Sequence, residues 1–422
     1  MQLIDSGREP RRQPSAPDSH RLVSRPRLRL GALAVTLAVV AAACGPATTS
    51  APSPTGSASA VGPSPVVRPT PVPTPVPTST PTPIPTAAPT PVPTPVPTPV
   101  PTPVLAVAPL TGRLVAPELA SRHPIAVMVD DHWDARPQSG FSEASVVWQA
   151  PAEGGIPRYM MIFAEGNPKS VGPVRSARVY FVQWASEWRA AYVHSGGSPQ
   201  AIALLRAKGD GQLVYNADEY RWGRAYLWRA TDRFAPHNVY TDGKHLRALA
   251  SRVGARPVDA EPAWQFAADA PLDLRPAGSK IDLTYQYGKI GYRYDRRSNT
   301  WRRYVGGKVQ KDRANNRLVA PKNVVVMEVA FGILGPGQKG RLEARNVGSG
   351  RAWIATNGTT IRGTWKKASV SGPTLFFDRA GNPVTLTRGQ TFVQVIPPHT
   401  PLKVVNGKRI FDAAKAEARG IR

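Results

Sequence analysis

Charged side chains that bind or orient anions follow several apolar segments of the chain. Asp130 ends the run IAVMVD, Glu153 follows VVWQAPA, and His194 ends AAYVH. Arginines are interleaved with them, and a guanidinium donates paired hydrogen bonds to phosphate or carboxylate groups. The candidate ligand-binding residues are Asp130, Arg136, Glu153, Arg158, Arg175, Arg178, His194, His237 and Asn238.

Two interpretations of this cluster stay open. In the first, the arginines hold an anion, the histidines add donors, and Asp130 and Glu153 orient the arginines or act as acid and base. In the second, Arg175 and Arg178 form internal salt bridges with those carboxylates and the loops bind nothing. His194 and His237 can also be interpreted in two ways: each could contact a ligand, or each could stabilise its own turn.

Motifs of common catalytic and metal sites are missing from the sequence. It contains no H-E-x-x-H, Walker loop or G-x-G-x-x-G. Ser195 and Ser198 do not lie in a G-x-S-x-G elbow, so a serine hydrolase is not indicated. Asp130, His194 and His237 could ligate a metal, but their spacing is not specific. We therefore predict no metal and no cofactor, and no catalytic residue is assigned.

The elements that must position these residues alternate between strands and helices. Apolar, β-branched runs predict strands, and Ser198-Pro199 is a good helix N-cap and first-turn pair. Ligands of open α/β sheets bind beyond the carboxyl ends of strands, where these polar residues fall. The predicted strands are 125–130, 145–149, 158–163 and 190–194, and the predicted helices are 176–188 and 198–206.

The second half of the chain shows short strand patterns separated by turn pairs such as Asn357-Gly358. The predicted strands are 281–287, 290–295, 300–305, 323–330, 352–356, 359–365, 374–377 and 390–395. The predicted fold class is therefore α+β: an N-terminal α/β-type domain over 110–270, followed by a β-dominated C-terminal domain over 271–422. We expect no chemistry in the second domain.

The N-terminus has the pattern of a lipoprotein signal peptide. A basic segment with Arg25, Arg27 and Arg29 precedes an apolar run of 11 residues (30–40) and the small residues AAA before Cys44. We predict a signal peptide over 1–43 and lipid on Cys44, which places the protein on the extracytoplasmic face of the cell membrane. The alternative is a signal anchor, or ordinary cleavage beside an inert cysteine.

Proline and threonine dominate residues 44–109. Repeats of PVPT and PTP carry one charge, Arg68. Proline fixes φ near the polyproline II value and lacks a backbone N–H, so this segment cannot build a core. We predict a disordered, semi-rigid stalk.

The chain is strongly basic, with a net charge of +26. The segment before Cys44 has seven Arg and three acids, so 26 − (7 − 3) = +22 remains after it. This charge attracts anionic lipid, wall polymer or nucleic acid, unless it is only a general compositional bias. No DNA-reading motif is present, so nucleic acid is the least favoured partner.

Six motifs in order resemble the YerB-like bacterial lipoprotein family, a two-domain family of unassigned biochemical function. They are PIAVMVDD (124–131), ARPQSG (135–140), APAEGGIPR (150–158), VGPVRSAR (171–178), YVHSGGSP (192–199) and APHNVY (235–240). Asp131 stands where the family usually has Asn. The second half is similar in turn and aromatic positions, including Gly363-Thr364-Trp365.

Three functions remain compatible with the sequence. The first is a membrane-anchored module that binds an anionic cell-envelope polymer or a partner protein. The second is an envelope hydrolase or transferase that uses Asp130 or Glu153 with His194 or His237. The third is extracellular DNA binding, whose affinity would fall linearly in log salt.

Overall fold

The computed structural model describes residues 104–285 and 287–409. All of these residues belong to one compact unit, Pro95–Arg422. The predicted signal peptide, Cys44 and nearly all of the predicted stalk lie outside the described residues. At the stalk's end, Ala106–Val107 already pairs with Leu114–Val115 as a short hairpin.

Short strands make up most of the described chain. In chain order they are β1 (Ala106–Val107), β2 (Leu114–Val115), β3 (Ile125–Asp130), β4 (Val146–Pro151), β5 (Pro157–Phe163), β6 (Ala191–His194), β7 (Tyr215–Asp218), β8 (Trp228–Arg229), β9 (Val239–Tyr240), β10 (Phe266–Ala267), β11 (Pro276–Ala277), β12 (Lys280–Tyr285), β13 (Gly288–Asp295), β14 (Thr300–Val305), β15 (Lys308–Val309), β16 (Asn323–Glu328), β17 (Phe331–Ile333), β18 (Leu342–Ala344), β19 (Gly348–Thr356), β20 (Thr359–Lys367), β21 (Leu375–Asp378), β22 (Leu386–Thr387), β23 (Thr391–Ile396), β24 (Leu402–Val405) and β25 (Lys408–Arg409).

The α-helices of the described residues are short and lie between β2 and β10. They are α1 (Pro117–Ala120), α2 (Val179–Ala185), α3 (Pro199–Leu205), α4 (Glu219–Tyr226) and α5 (Gly243–Arg252). Helix α3 begins as its sequence predicts, because the Ser198 side chain accepts the Ala201 N–H at 3.2 Å. Within the described part of the chain, no helix has the length and apolar character needed to span a membrane.

A mixed ten-stranded sheet forms the centre of the fold, in the order β21-β20-β19-β16-β23-β4-β5-β3-β6-β7. The five strands from β4 to β7 in that order come from the first half of the chain, and the other five come from the second half. The halves join where β23 pairs in parallel with β4, with Thr391 opposite Val146 and Gln394 opposite Gln149. Strands of both sequence halves therefore share one continuous sheet.

Both faces of this sheet are covered. On β3, Ala126 and Met128 point into one core, which α2 and α3 close, while Val127 and Val129 point into the other. The second core is closed by α5 and by an antiparallel five-stranded sheet in the order β15-β14-β13-β12-β24. Burial on both faces explains why the central strands read as continuous apolar runs instead of alternating ones.

The buried Arg303 ties the small sheet to the large one. Its guanidinium donates to the side-chain oxygens of Gln149 on β4 at 2.5 Å and Gln310, and to the Tyr292 hydroxyl at 3.1 Å. Burial alone lowers the pKa of Arg303, but the surrounding phenols and the Asp131 carboxylate outweigh burial and raise it. The guanidinium therefore stays charged between the sheets.

The predicted fold class is confirmed, with a β-dominated second half. Every predicted strand overlaps an observed one, and the turn between β19 and β20 has positive φ at Asn357 and Gly358, as a type I′ hairpin requires. The predicted helix over 176–188 corresponds to α2, whose Tyr180, Phe181 and Trp184 are buried in the core. Helices α4 and α5 were not predicted.

Candidate functional site

A cleft of about 330 Å³ opens where several strands of the first half end. We call it the strand-end cleft. Its lining combines carboxylates, histidines and an excess of cations: Asp130, His132, Glu153, Ile156, Arg158, Arg175, Arg178, His237, Lys339 and Arg341.

Asp130, the last residue of β3, organises one end of the cleft. Its Oδ2 accepts a hydrogen bond from His237 Nδ1 at 2.7 Å and lies 3.0 Å from Arg175 Nε. Its Oδ1 accepts the backbone N–H of His132 at 3.1 Å. The carboxylate is buried, and these contacts compensate its charge. One side chain thus positions a guanidinium and two histidines.

Glu153 organises the other end from the short turn after β4. Arg178 donates to both of its carboxylate oxygens, at 2.5 and 2.7 Å, in the bidentate geometry that favours arginine. Arg158, at the start of β5, lies 3.6 Å from Glu153 and donates to the Ser176 carbonyl and hydroxyl at 2.6 and 2.7 Å. These arginines are held in place before any ligand arrives.

The second half of the chain supplies two further cations. Lys339 and Arg341 lie on the connection between β17 and β18, which contacts α3 through a 2.8 Å hydrogen bond from Gln200 to Gln338. Neither side chain forms an ion pair with any residue that the structure describes. Both are free to meet an anion from outside.

Positive charge exceeds negative charge in the strand-end cleft. Five side chains, from the four arginines and Lys339, face the two carboxylates of Asp130 and Glu153, which gives 5 − 2 = +3 without the histidines. Burial is the largest effect that lowers the pKa of Arg158, and the charge of Arg178 lowers it further, to about 10. The charge of Glu153 acts in the opposite direction and raises this pKa. Arg158 stays charged at neutral pH. An anion bound in the cleft would reduce the repulsion between Arg158 and Arg178.

Glu153, which lines the same cleft, stays ionised at neutral pH. Burial raises its pKa, but hydrogen bonds and charge from Arg178, together with the charge of Arg158, lower the pKa below the usual value of 4.5. Glu153 is therefore an ionised partner for the arginines and not a proton donor at neutral pH.

Three predicted residues do not line the cleft. His194 is fully buried, and its two ring nitrogens contact the Gly196 carbonyl at 2.7 Å and Asn216 Oδ1 at 2.8 Å. Arg136 donates to Asp131 Oδ1 at 2.9 Å. Asn238 accepts from Arg229 at 3.0 Å and donates to nearby carbonyls, which braces the loop that carries His237.

Asp131, which stands where the family usually has Asn, is also a structural residue. It is buried, and it accepts from Arg136, from Gln138 at 3.1 Å and from Gln149 at 2.5 Å. Burial raises its pKa, while Arg136 and Arg303 act in the opposite direction. Its contacts connect the cleft floor to the interior and leave it no part in the cleft itself.

Both interpretations of the arginine cluster describe real contacts. Arg175 pairs with Asp130 and Arg178 pairs with Glu153, as the salt-bridge hypothesis expects, yet all four side chains also line the cleft. The six predicted residues that line it are Asp130, Glu153, Arg158, Arg175, Arg178 and His237.

Sequence reasoning missed His132, Lys339 and Arg341. A signal existed for His132, which follows the strand-end pair Asp130-Asp131 directly. Lys339 and Arg341 lie in the glycine-rich run GPGQKGR (335–341). No pattern in the sequence around this run indicated that it contacts the first half of the chain. His132, Asp134 and His237 also form a group whose nitrogen and oxygen donors lie within 4.8 Å of one another, as a metal ion would require.

Comparison with known families matches two consecutive domains. Residues 110–256 match the N-terminal domain of a protein of unknown function (DUF3048), and residues 281–393 match its C-terminal domain. Both domains contribute strands to the ten-stranded sheet and residues to the strand-end cleft.

Two relatives are similar over most of the chain. "Putative lipoprotein YerB" of Bacillus subtilis (strain 168) is 30% identical over 309 residues, which cover 72% of this chain and 90% of the relative. The crystal structure of YerB protein from Bacillus subtilis has a TM-score of 0.63 and 27% identity, and covers 71% of this chain and 99% of that chain.

Proposed function

Because this chain belongs to the DUF3048 family and is 30% identical to "Putative lipoprotein YerB", we propose that it is a lipid-anchored protein whose strand-end cleft binds an anionic group of the cell envelope. The resemblance to YerB-like proteins predicted from six sequence motifs is confirmed. The anchor is lipid on Cys44, and the proline-rich stalk holds the folded unit outside the cytoplasmic membrane.

The unpaired cations of the cleft are the observation that carries this proposal. Arg158, Arg175 and Arg178 are already paired with carboxylates, whereas Lys339 and Arg341 have no such partner among the described residues. Guanidinium and ammonium groups that converge on one small cleft bind phosphate or carboxylate. A repeating phosphodiester or a peptide carboxylate of a wall polymer is the ligand class we propose.

Exposed aromatic rings beside the cleft support a polymer rather than a free ion. Trp133 is 56% exposed and its ring lies 6.1 Å from that of Tyr287, which is also exposed. Trp133 follows His132 directly, and the Tyr287 hydroxyl is close to Gly154, beside Glu153. Such rings present flat apolar surface to the sugar or glycerol units that flank an anionic group.

Titration of the full-length chain with a glycerol-phosphate oligomer tests the proposal by calorimetry. We expect saturable binding that a Lys339→Ala/Arg341→Ala double variant weakens by about tenfold or more, equivalent to about 1.4 kcal/mol. N-acetylmuramoyl dipeptide, titrated in parallel, distinguishes a carboxylate ligand from a phosphodiester. Arg317→Ala is the matched control, because Arg317 is 68% exposed and its only described ion pair is with Glu143 at 3.8 Å.

Equal loss of affinity in the double variant and in Arg317→Ala would contradict the proposal, because it would mean that overall charge and not the cleft binds the oligomer. A DNA duplex provides the remaining comparison. Preference for the duplex, with log affinity falling linearly in log salt, would favour the extracellular DNA-binding alternative.

One contact favours a second candidate, an envelope hydrolase. His237 Nδ1 hydrogen bonds to Asp130 at 2.7 Å, which leaves Nε2 as a base toward the cleft, as in carboxylate-oriented general bases. His194 is unsuited to this role because it is buried and both ring nitrogens are engaged. Release of glycerol phosphate from the oligomer, lost on His237→Gln with binding retained, would support this candidate. Binding without turnover would remove it.

A further inference from the structure

We propose that His132, Asp134 and His237 bind a divalent first-row transition-metal ion at the rim of the strand-end cleft. We call these three residues the rim cluster. The sequence predicted no metal site, because the spacing of Asp130, His194 and His237 is not specific, and it did not single out His132 or Asp134. The fold brings one donor atom of each within 4.8 Å of the others.

The spacing within the rim cluster suits a shared ion. His132 Nδ1 lies 3.4 Å from Asp134 Oδ2. Two ligands at about 2.0–2.1 Å from a tetrahedral zinc lie roughly 3.3 Å apart, so this pair needs little adjustment. Donor atoms of the rim cluster that are still too far apart, at up to 4.8 Å, can approach one ion when the Asp134 side chain rotates. This side chain is 63% exposed and free to rotate. The His132 ring must also release the long 3.3 Å hydrogen bond that it accepts from the Asp134 N–H.

Asp130 supplies the outer contact that metal-bound histidines usually have. It accepts the hydrogen bond of His237 Nδ1 at 2.7 Å, which fixes the tautomer with its lone pair on Nε2. The same carboxylate accepts the His132 backbone N–H at 3.1 Å, so it places both histidines. The two rings lie stacked with centroids 4.7 Å apart. The contact between Asp130 and His237 is a second observation, independent of the donor spacing, that points to an ion. The stacked rings must turn toward each other for their in-plane lone pairs to meet at one ion.

The donor set indicates the class of ion. Two imidazoles and one carboxylate suit zinc or another first-row divalent ion, and they disfavour magnesium or calcium, which prefer oxygen ligands. Asp130 and Asp134 carry two negative charges here, and Arg175 offsets one of them. Three protein ligands would leave one coordination position of a tetrahedral ion open. Because His132 and His237 also line the strand-end cleft, an anion bound there could take that position.

Zinc titration of the full-length chain, first stripped with EDTA, tests the rim cluster by calorimetry in phosphate-free buffer. All proteins carry Cys44→Ser, so that the one thiol of the chain does not compete. We expect one zinc ion per chain, with affinity lowered more than about 100-fold by His237→Ala or His132→Ala. Asp130→Asn should cost about 10–100-fold, the usual effect of removing an outer-shell carboxylate.

Two variants keep the result interpretable. Asp134→Ala changes an exposed side chain and so preserves the fold, and we expect it to weaken zinc binding about tenfold or more. His245→Ala is the matched control, because His245 is a partly exposed surface histidine that pairs with Asp242 at 2.8 Å. Absence of saturable binding would overturn the proposal. Zinc affinity that is unchanged by Asp134→Ala and His132→Ala, or that falls equally in His245→Ala, would also overturn it.

Metal binding and anion binding are separable. Lys339→Ala/Arg341→Ala removes cleft cations without touching the rim cluster, so zinc affinity should not fall in that variant. Failure of anion binding would leave the zinc result standing, and failure of zinc binding would leave the proposed function standing.

Discussion

Asp130 is the residue on which the geometry of the candidate site most depends. Its two oxygens contact Arg175, His237 and the His132 backbone, and it is almost fully buried. Removal of the carboxylate would leave Arg175 without its acid partner and His237 without its orienting contact. The site is therefore preorganised, which lowers the entropic cost of binding a ligand.

Glu153 has the same supporting role for Arg158 and Arg178, and its ionisation makes the stability of the protein depend on pH. Its folded-state pKa is below the usual 4.5, despite the opposing effect of burial, because of Arg178 and Arg158. The ionised form thus stabilises the folded state fully above about pH 4.5, and this contribution is lost as pH falls through the folded pKa.

We predict that Glu153→Gln lowers the free energy of unfolding at pH 7 by about 1–3 kcal/mol, because buried arginine donors lose their charged acceptor. The difference from wild type should shrink as pH falls below about 4.5, where Glu153 begins to protonate in the unfolded state, and it should vanish below the lower folded-state pKa, where Glu153 is protonated in both states. Urea unfolding at pH 7 and near pH 3 measures this. Glu143→Gln, at a partly exposed carboxylate, is the control. A difference that stays constant with pH would show that Glu153 does not titrate as described.

Strand ends explain which site residues the sequence could predict. Asp130, Glu153 and Arg158 flank β3, β4 and β5, whose apolar runs are visible in the sequence, so their convergence follows from the sheet. His194 also ends a strand, yet it is buried, because Val193 pairs with Val127 and His194 therefore lies deeper in the sheet than Asp130. No local pattern showed that Lys339 and Arg341 reach the same cleft from the second half.

At the scale of elements, strand positions were predictable and strand partners were not. Apolar runs and turn pairs such as Asn357-Gly358 marked most strands of the two larger sheets. Strand β23 pairs in parallel with β4 and joins residues about 245 positions apart. Neither a turn motif nor a short spacing in the sequence therefore indicates this pairing. The continuous sheet is what brings the connection between β17 and β18 to the first half.

Arg303 tests how the two larger sheets are held together. We predict that Arg303→Met lowers the free energy of unfolding by about 3–5 kcal/mol, because buried side-chain oxygens of Gln149 and Gln310 lose a charged donor. Arg302→Met, at the adjacent and 46% exposed position that pairs with Asp295, should cost less than about 1 kcal/mol. Urea unfolding of both variants compares them directly, and similar losses would contradict a special role for the buried guanidinium.

At the scale of the whole molecule, charge and anchor act together. Without the predicted signal peptide the chain would carry 26 − (7 − 3) = +22, and lipid on Cys44 would hold it at an anionic surface where that charge adds a second membrane contact. The cleft lies in the unit that follows the proline-rich segment. Such a molecule would present a basic cleft to the polymers around it.

We predict that metabolic labelling with palmitate marks the wild-type chain, and that Cys44→Ser removes both the label and the membrane fraction that survives washing in about 0.5 M salt. Salt screens the charge contribution, so the wash isolates the lipid anchor. An unlabelled wild-type chain, or a Cys44→Ser chain that fractionates as before, would contradict the anchor and the placement that depends on it.

The most direct test of the central claim is a titration of the ¹⁵N-labelled full-length chain with a glycerol-phosphate oligomer, followed through the arginine Nε–H resonances by nuclear magnetic resonance. We expect saturable shifts at Arg158, Arg178 and Arg341, which line the strand-end cleft. The exposed Arg317 and Arg351 should not move. Resonances of the cleft arginines that stay in place while the exposed ones shift would contradict the claim that this cleft is the binding site.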